Sequence, residues 1–296
     1  MMGTFRELAI DDRKDFDRVL AGLQPEISDF SFANLWMWSR SYGLTVRFLP
    51  ELDYWLLLAQ PAKWKPFFFA PLGDWSDRDK LRIVLNELQQ VAHTVQMQFL
   101  MRRMPQSVLD KLLQLEPKLQ YKEDRNTYDY LYTAESLTQL AGRKLHSKRN
   151  QLNQFLRKYQ WTYQAMDQEV VAECLELETP WFNLKESSDV ENEAMLRLLR
   201  NFGSLGVAGG VVRVNGQIQA LTVGESLNRD TALIHIEKAN TDYDGIYAAI
   251  NQQFVSNQWS QMTYINREED MGIEGLRQVK LSYQPMRLVE KFNVYL

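Results

Sequence analysis

Only one cysteine occurs in the 296 residues, Cys174, so no internal disulfide can form. It lies in an apolar helical pattern, which suits a buried structural thiol better than a nucleophile. Long apolar runs are also missing. Stretches such as Trp55 to Ala59 are far shorter than the ~20 residues of a membrane-spanning helix, so no integral membrane segment is expected. The N-terminus has no basic region followed by an apolar one, which argues against a secretory leader and for the cytoplasm. Three histidines, His93, His146 and His235, stand far apart, and neither His-x-x-x-His nor a cysteine pair exists. No metal site is expected from such a set. A Ser-His-Asp triad lacks the Gly-x-Ser-x-Gly elbow that would support it.

One further absence is local. Net charge is −4, yet no acidic residue lies between Ser136 and Met166. Arg143, Lys144, Lys148, Arg149, Arg157 and Lys158 fall inside that window, with His146 among them. A basic patch on an acidic protein points to an anionic partner. Leu145, Leu152, Phe155, Leu156 and Tyr159 form an apolar stripe on the same helix. His146, Asn150, Asn153 and Arg157 follow another face, with Lys144 and Lys148 on a neighbouring ridge. That layout suits phosphate or ribose contact, and Lys144, Lys148, Arg149, Asn150 and Asn153 are the candidates for it. The plainer alternative is a solvated helix face.

What is present reads as mixed α/β. Hydrophobic residues make up 45% and charged residues 24%, ordinary values for a globular chain, and the length suits two domains. Strands are expected at 4–8, 44–48, 54–59, 67–70, 98–101, 119–122 and 128–132. Helices are expected at 12–21, 32–41, 77–92 and 106–115. The second half repeats this grammar, with a helical stretch from 134 to 159 broken at Gly142. A strand at 161–165 and helices at 169–181 and 191–202 follow. Asn215-Gly216 between two strand-like runs marks a hairpin, because both residues tolerate positive φ. The boundary is expected near 132, giving domains 1–132 and 133–296.

The segment from Ala232 to Pro285 concentrates the chemistry. A strand ending His-Ile-Glu (235 to 237) precedes a polar turn and a helix from Gly245. A second strand, the acidic loop Asn266 to Asp270 and a helix ending in Lys-Leu-Ser-Tyr follow. His235 and Glu237 alternate and are expected on one sheet face. Glu268, Glu269 and Asp270 could hold an ammonium, and could equally be a solvated loop.

The order hairpin, strand, helix, strand, helix, strand looks like the acyltransferase core of the GNAT superfamily. Four segments are more specific: Leu145 to Phe155, His235 to Asn240, Gly245 to Asn251 and Asn266 to Arg277. Together they resemble the phosphatidylglycerol lysyltransferase C-terminal-like family of bacterial proteins. The resemblance implies an α/β (α+β) fold of two tandem GNAT-like domains with mixed, largely antiparallel sheets, the active cleft lying in the second. Members with known activity move an aminoacyl group from aminoacyl-tRNA onto a lipid head group. The resemblance therefore implies aminoacyl-tRNA as donor and tRNA as partner. Glu237 becomes the expected base, Tyr283 the acid for the leaving oxygen, and His235 a second titratable group on the same wall. Glu237 and Tyr283 are expected to open onto one cleft. Lys238, Asn240, Asn266, Arg267, Glu269 and Asp270 are expected to bind substrate.

The sequence departs from this pattern twice. It holds no counterpart of the multispanning membrane domain of the lipid-modifying members, so the acceptor stays open among amine, hydroxyl and lipid head group. The Gly-x-Gly or Gly-x-Ala phosphate loop of CoA-dependent enzymes is missing too. The equivalent turn, Lys238 to Gly245, has one glycine and carries Asp242 and Asp244. An acyl-CoA donor is the alternative enzyme reading, and a non-catalytic GNAT-like binding protein the alternative from another class.

Overall fold

The computed structural model describes residues 4–183 and 190–296. It divides into two compact units, Met1–Tyr128 with Val289–Leu296, and Asp129–Leu288.

In the first unit, strands β1 (Arg6–Glu7), β2 (Leu44–Leu49), β3 (Tyr54–Ala59), β4 (Phe67–Phe68), β5 (Leu100–Pro105) and β6 (Gln120–Glu123) form a sheet. Helices α1 (Arg13–Leu23), α2 (Phe32–Tyr42), α3 (Arg78–Thr94) and α4 (Gln106–Leu115) belong to the same unit. The sheet order is β1-β2-β3-β4-β5-β16-β6, so the last strand of the chain, β16 (Lys291–Tyr295), lies between β5 and β6. A division at residue 132 leaves that strand with the second domain. Its pairing with β5 is instead a long-range contact that no local pattern encodes. Lys291 is buried in this unit, with its ammonium 2.6 Å from Asp29.

The second unit holds β7 (Asp129–Thr133), α5 (Ala134–Gln139), α6 (His146–Lys158), β8 (Trp161–Ala165), α7 (Gln168–Glu176) and the short pair β9 (Glu178–Thr179) and β10 (Phe182–Asn183). Next come α8 (Val190–Arg200), α9 (Phe202–Leu205), β11 (Ala208–Val214), β12 (Gln217–Ser226), β13 (Thr231–Ala239) and α10 (Ile246–Gln258). It closes with β14 (Tyr264–Asn266), α11 (Glu274–Ser282) and all but the last residue of β15 (Arg287–Val289). The sheet order is β15-β7-β14-β13-β12-β11-β8. In each large sheet one described pairing is parallel, β4 with β5 and β13 with β14, and the others are antiparallel. The expected mixed, largely antiparallel architecture is what the chain adopts. The hairpin turn forms as read, with Asn215 at φ 52° and Gly216 at φ 83°.

One face of the second sheet carries α5, α6 and α10. Leu145, Leu152 and Phe155 of the basic segment are buried there with Val212, Val214, Ala220, Ile234 and most of α10. Each large apolar side chain so buried stabilises the unit by about 1.5–3 kcal/mol. On the opposite face Arg213 reaches Glu173 of α7, and Lys238 reaches Asn192 of α8 at 2.9 Å. α10 begins at Gly245, whose φ is +85°; a Cβ there would sit 2.2 Å from the Gln151 carbonyl oxygen. The glycine lets α10 lie against the backbone of α6.

The β12–β13 register contains a bulge that overturns one expectation. Val223 pairs with Ile236 and Gly224 with Ile234, which leaves His235 as the extra residue. A bulge inverts the side-chain alternation beyond it. Ala232 and Ile234 face α10, and after the bulge so do Glu237 and Ala239. His235 points to the other side, so it does not share a wall with Glu237. Its side chain is fully buried, with Nε2 2.9 Å from Glu225 and Nδ1 3.0 Å from Glu268. Only the imidazolium can donate from both nitrogens. Burial acts to lower the His235 pKa, but the bonds to Glu225 and Glu268 raise it to about 9.

Two predictions follow from these contacts. A raised folded-state pKa means that His235 contributes stability in full below about pH 6.5 and loses it as pH rises toward about 9. The contribution is on the order of 3 kcal/mol. Lys280, lowered to about 8 by burial, acts in the opposite sense above that pH. The His235 share is therefore read as the difference in urea-unfolding stability between wild type and His235→Gln, which should shrink between pH 6.5 and 9.5. A difference that stays constant across this range would show that His235 is not charged in the fold. Separately, Gly245→Ala should cost at least about 2 kcal/mol, because the new Cβ meets backbone and φ is left-handed. Equal urea midpoints for the variant and wild type would contradict that packing.

Candidate active site

Glu237, near the end of β13, receives two side chains. Arg267, the first residue after β14, places Nη2 2.8 Å from Oε1, and Asn251 of α10 donates Nδ2 to Oε2 at 2.9 Å. The Arg267 guanidinium carbon lies 4.7 Å from the ring centroid of Tyr283, just beyond α11, and 5.7 Å from that of Tyr132 on β7. Lys148 of α6 brings its ammonium to 4.6 Å from the Tyr283 centroid. Two cations thus stand around one tyrosine, and among the described contacts Glu237 is the carboxylate that answers them. Burial lowers the Lys148 pKa, the neighbouring Arg267 lowers it further, and Glu237 opposes. Burial pushes the Tyr283 phenol up to about 12, with Arg267 acting against it.

Glu237 and Tyr283 are joined through Arg267, as residues at the end of a strand and after a helix can be. Both are largely buried: Tyr283 is 3% exposed, and the Glu237 side chain 12%. Desolvation on this scale needs compensating partners, and the cluster supplies most of them. Two atoms remain. Arg267 Nη1 and Asn251 Oδ1 are buried and make no hydrogen bond among the described residues.

Lys280 holds the acidic loop from beneath. It is buried, and its ammonium donates to the carbonyls of Arg267, Glu268 (3.1 Å) and Glu269 (2.7 Å), three donors to three acceptors. Burial, aided by the Arg267 charge, lowers its pKa to about 8. Glu268, at φ 54°, turns to His235. The Asp270 side chain is fully buried and takes Arg277, the Tyr130 hydroxyl and the Gly272 N–H. Burial alone would raise its carboxyl, but the Arg277 and Tyr130 bonds bring it down to about 2. The loop is therefore not an ammonium cradle at Asp270, because its oxygens are already filled.

Other expected substrate-binding residues also serve the fold. Asn266 is buried between Asp129 and the Glu268 N–H. Asn240 donates to Gln219 and accepts the Asp242 N–H, closing the turn before α10. Lys238 lies on the opposite sheet face from Glu237, with Asn192 and the Phe182 ring. Arg149 donates Nη1 to the Leu140 carbonyl at 2.6 Å and also to that of Gly142, closing the break after α5 rather than facing solvent. Asn150 pairs with His146 on the exposed face, and Asn153 is half-buried. Arg143, Lys144 and His146 are exposed, as a rim requires. Of the basic set, Lys148 alone reaches the Tyr283 cluster among the described contacts.

Asn251 was not singled out from the sequence as a functional residue. The signal was the first of three consecutive amides, Asn251, Gln252 and Gln253, directly after the largely apolar run Ile246 to Ile250. Tyr132 and Lys280 carried none, since a tyrosine in a strand and a lysine in a helix are ordinary there.

The chain matches the model of the family "Phosphatidylglycerol lysyltransferase, C-terminal" over residues 20–295. A conserved protein of unknown function from Bacteroides thetaiotaomicron has a solved structure 33% identical, with a TM-score of 0.89 over the whole of both chains. L-PGS from Bacillus licheniformis is 12% identical with a TM-score of 0.67, covering 96% of this chain and 91% of that one. A tandem GNAT protein from the clavulanic acid biosynthesis pathway gives 11% identity and 0.51 over 98% and 97%. The last two show the fold alone. An uncharacterised protein of Mycoplasmoides gallisepticum is 28% identical over 174 residues, 56% of this chain and 55% of that protein, so the match spans about half of its length. Among the described residues no helix is long and apolar enough to cross a membrane. With a family match across nearly its whole length, the chain belongs to the phosphatidylglycerol lysyltransferase C-terminal family and has its tandem GNAT-like fold.

Proposed function

We propose that this protein is an aminoacyltransferase that takes an aminoacyl group from aminoacyl-tRNA and gives it to an amine or hydroxyl acceptor. The observation that carries this reading, in a chain of this family, is the buried Arg267–Glu237 pair with Lys148 beside Tyr283. In the proposed step the acceptor nitrogen or oxygen attacks the ester carbonyl carbon, whose oxygen gains negative charge. Arg267 Nη1 donates to that oxyanion, its other arm being fixed on Glu237. The bond to the ribose oxygen then breaks. The departing oxygen takes the Tyr283 proton, and the phenolate recovers one from the acceptor, so protons balance. A phenol held near 12 stays protonated at neutral pH and is matched to an alkoxide leaving group. Lys148 offsets the transient phenolate charge. Glu237, with both oxygens engaged, positions Arg267 instead of acting as the base expected from the sequence.

The acyl-CoA reading is weaker on physical grounds. A pyrophosphate needs a free helix N-terminus, whereas Gly245 lies against Gln151, and Asp242 and Asp244 flank it. The second reading is a non-catalytic GNAT-like binding protein, and the near-complete burial of Tyr283 favours it.

Radiolabelled aminoacyl-tRNAs incubated with the protein and a bacterial extract separate these readings. Label should leave tRNA for an extractable acceptor, and Arg267→Met should slow this by about 10²–10³. Tyr283→Phe should slow it by about 10²–10⁴. If no aminoacyl-tRNA loses label, the transferase reading fails and the binding protein takes its place. The exposed pair Arg143 and Lys144 should contact the polyanionic donor. The double variant Arg143→Glu, Lys144→Glu should weaken tRNA in filter binding and flatten its salt dependence, with unfolding stability within about 1 kcal/mol of wild type. Unchanged affinity would make this end of α6 a solvated surface.

A further inference from the structure

The two buried, unpartnered atoms at the centre of the cluster differ in kind. Arg267 Nη1 can only donate and Asn251 Oδ1 can only accept. Asn251 is 2% exposed, and the Arg267 side chain 10%. The amide orientation is fixed, because turning it would set Oδ1 against the Glu237 carboxylate that Nδ2 now serves. Arg267 and Asn251 hold the two oxygens of that one carboxylate, so their free atoms belong to one cluster around it. Leaving both without a partner is costly in a native fold.

We propose that Asn251 Oδ1 and Arg267 Nη1 form a subsite for the free α-amino group and the adjoining carbonyl of an aminoacyl donor. This rests on the transferase reading and names the part of the donor that the site recognises. An α-aminoacyl group presents an N–H donor and a carbonyl acceptor on neighbouring carbons, the complement of the two protein atoms. The charge around them settles the form of the amine. Arg267 and Lys148 outweigh Glu237, so an ammonium is repelled and the uncharged amine is bound. An α-amino group, with an ordinary pKa of about 8, reaches that form more readily than a lysine ε-amine. Asn251 thereby distinguishes an aminoacyl donor from a plain acyl donor of the same shape, while Glu237 is a positioning residue for both recognising atoms.

The test uses the full chain and stable amide analogues of the donor end. These are 3′-deoxyadenosine bearing, through a 3′-amide, an alanyl, lysyl or phenylalanyl group, each beside its desamino twin (propionyl, 6-aminohexanoyl or 3-phenylpropionyl). Calorimetry on wild type should show at least one aminoacyl analogue binding about tenfold or more tighter than its twin. Asn251→Leu, checked for a cooperative thermal melt, should reduce that ratio to about one. Should wild type bind both members of every pair equally, Asn251 Oδ1 meets internal water only and the subsite falls, while the transferase reading stands. A ratio that persists in Asn251→Leu also overturns it, by placing the amine elsewhere. If no analogue binds and no aminoacyl-tRNA loses label, the transferase reading and the subsite fall together. The wild-type comparison decides the matter even if the variant does not fold.

Discussion

A guanidinium cannot shed its proton in a protein, so once Arg267 is buried every neighbour must answer its charge. Glu237 does so directly. The surroundings then keep that contact in place from several directions. Lys280 takes the carbonyls of residues 267, 268 and 269, which fixes the backbone that carries the guanidinium. Glu268 adopts a left-handed conformation that L-residues seldom occupy, and its bond to His235 helps to hold it there. Successive side chains therefore leave the loop toward different partners, Arg267 to Glu237 and Glu268 to His235. The bulge at His235 completes the arrangement, since without it Glu237 would face α8 instead of α10.

Stability alone does not explain such a cluster. A buried ion pair gives little over a well-packed apolar substitute, though removing one partner costs about 3–5 kcal/mol. Here a second cation, Lys148, is brought near the first with no second carboxylate among the described contacts, and burial and Arg267 both work against its charge. Two polar atoms are left unpaired beside Glu237, at about 1–3 kcal/mol each. A fold under selection for stability alone would have filled these places with apolar groups. A site that must stabilise negative charge appearing during a reaction requires a positive surplus and a free donor already in position.

How much of this was legible in the sequence depended on range. β3, β8 and α4 have the bounds that their residues suggested, and Asn215-Gly216 makes its turn, because alternation, helical spacing and positive φ are local properties. The bulge was missed by reading His-Ile-Glu as plain alternation. Its signal was Gly224, a glycine inside a strand, where a Cβ would sit 2.4 Å from the Leu233 carbonyl oxygen. Lys144, Lys148 and Arg149 looked alike as a basic run. Yet one is exposed, one lies over Tyr283 and one is bonded to carbonyls after α5, distinctions that only packing creates. Similarly, the acidic loop looked solvated or ligand-binding because Arg277, Tyr130 and Lys280 reach it only once the chain has folded.

The start of α10 shows how one element of an acyltransferase fold can change its task. A helix N-terminus attracts anions through its unpaired N–H groups, provided that they are open to the ligand. In this chain the position is occupied. Gly245 permits backbone contact with α6, Asn240 closes the turn with its own side chain, and Asp244 pairs with Lys158 at 3.0 Å. Each contact improves the packing of α10 and makes a phosphate less welcome. Asn251 lies six residues further along the same helix, about 9 Å by the rise of an α-helix. The polar atom that α10 still offers, Asn251 Oδ1, is therefore deep in the unit, where the proposed subsite would read the acyl end of a donor. In the proposed transfer, recognition of the donor's phosphates would then fall to the exposed basic residues at the head of α6, a division of labour that suits a long polyanion carrying a small reactive end.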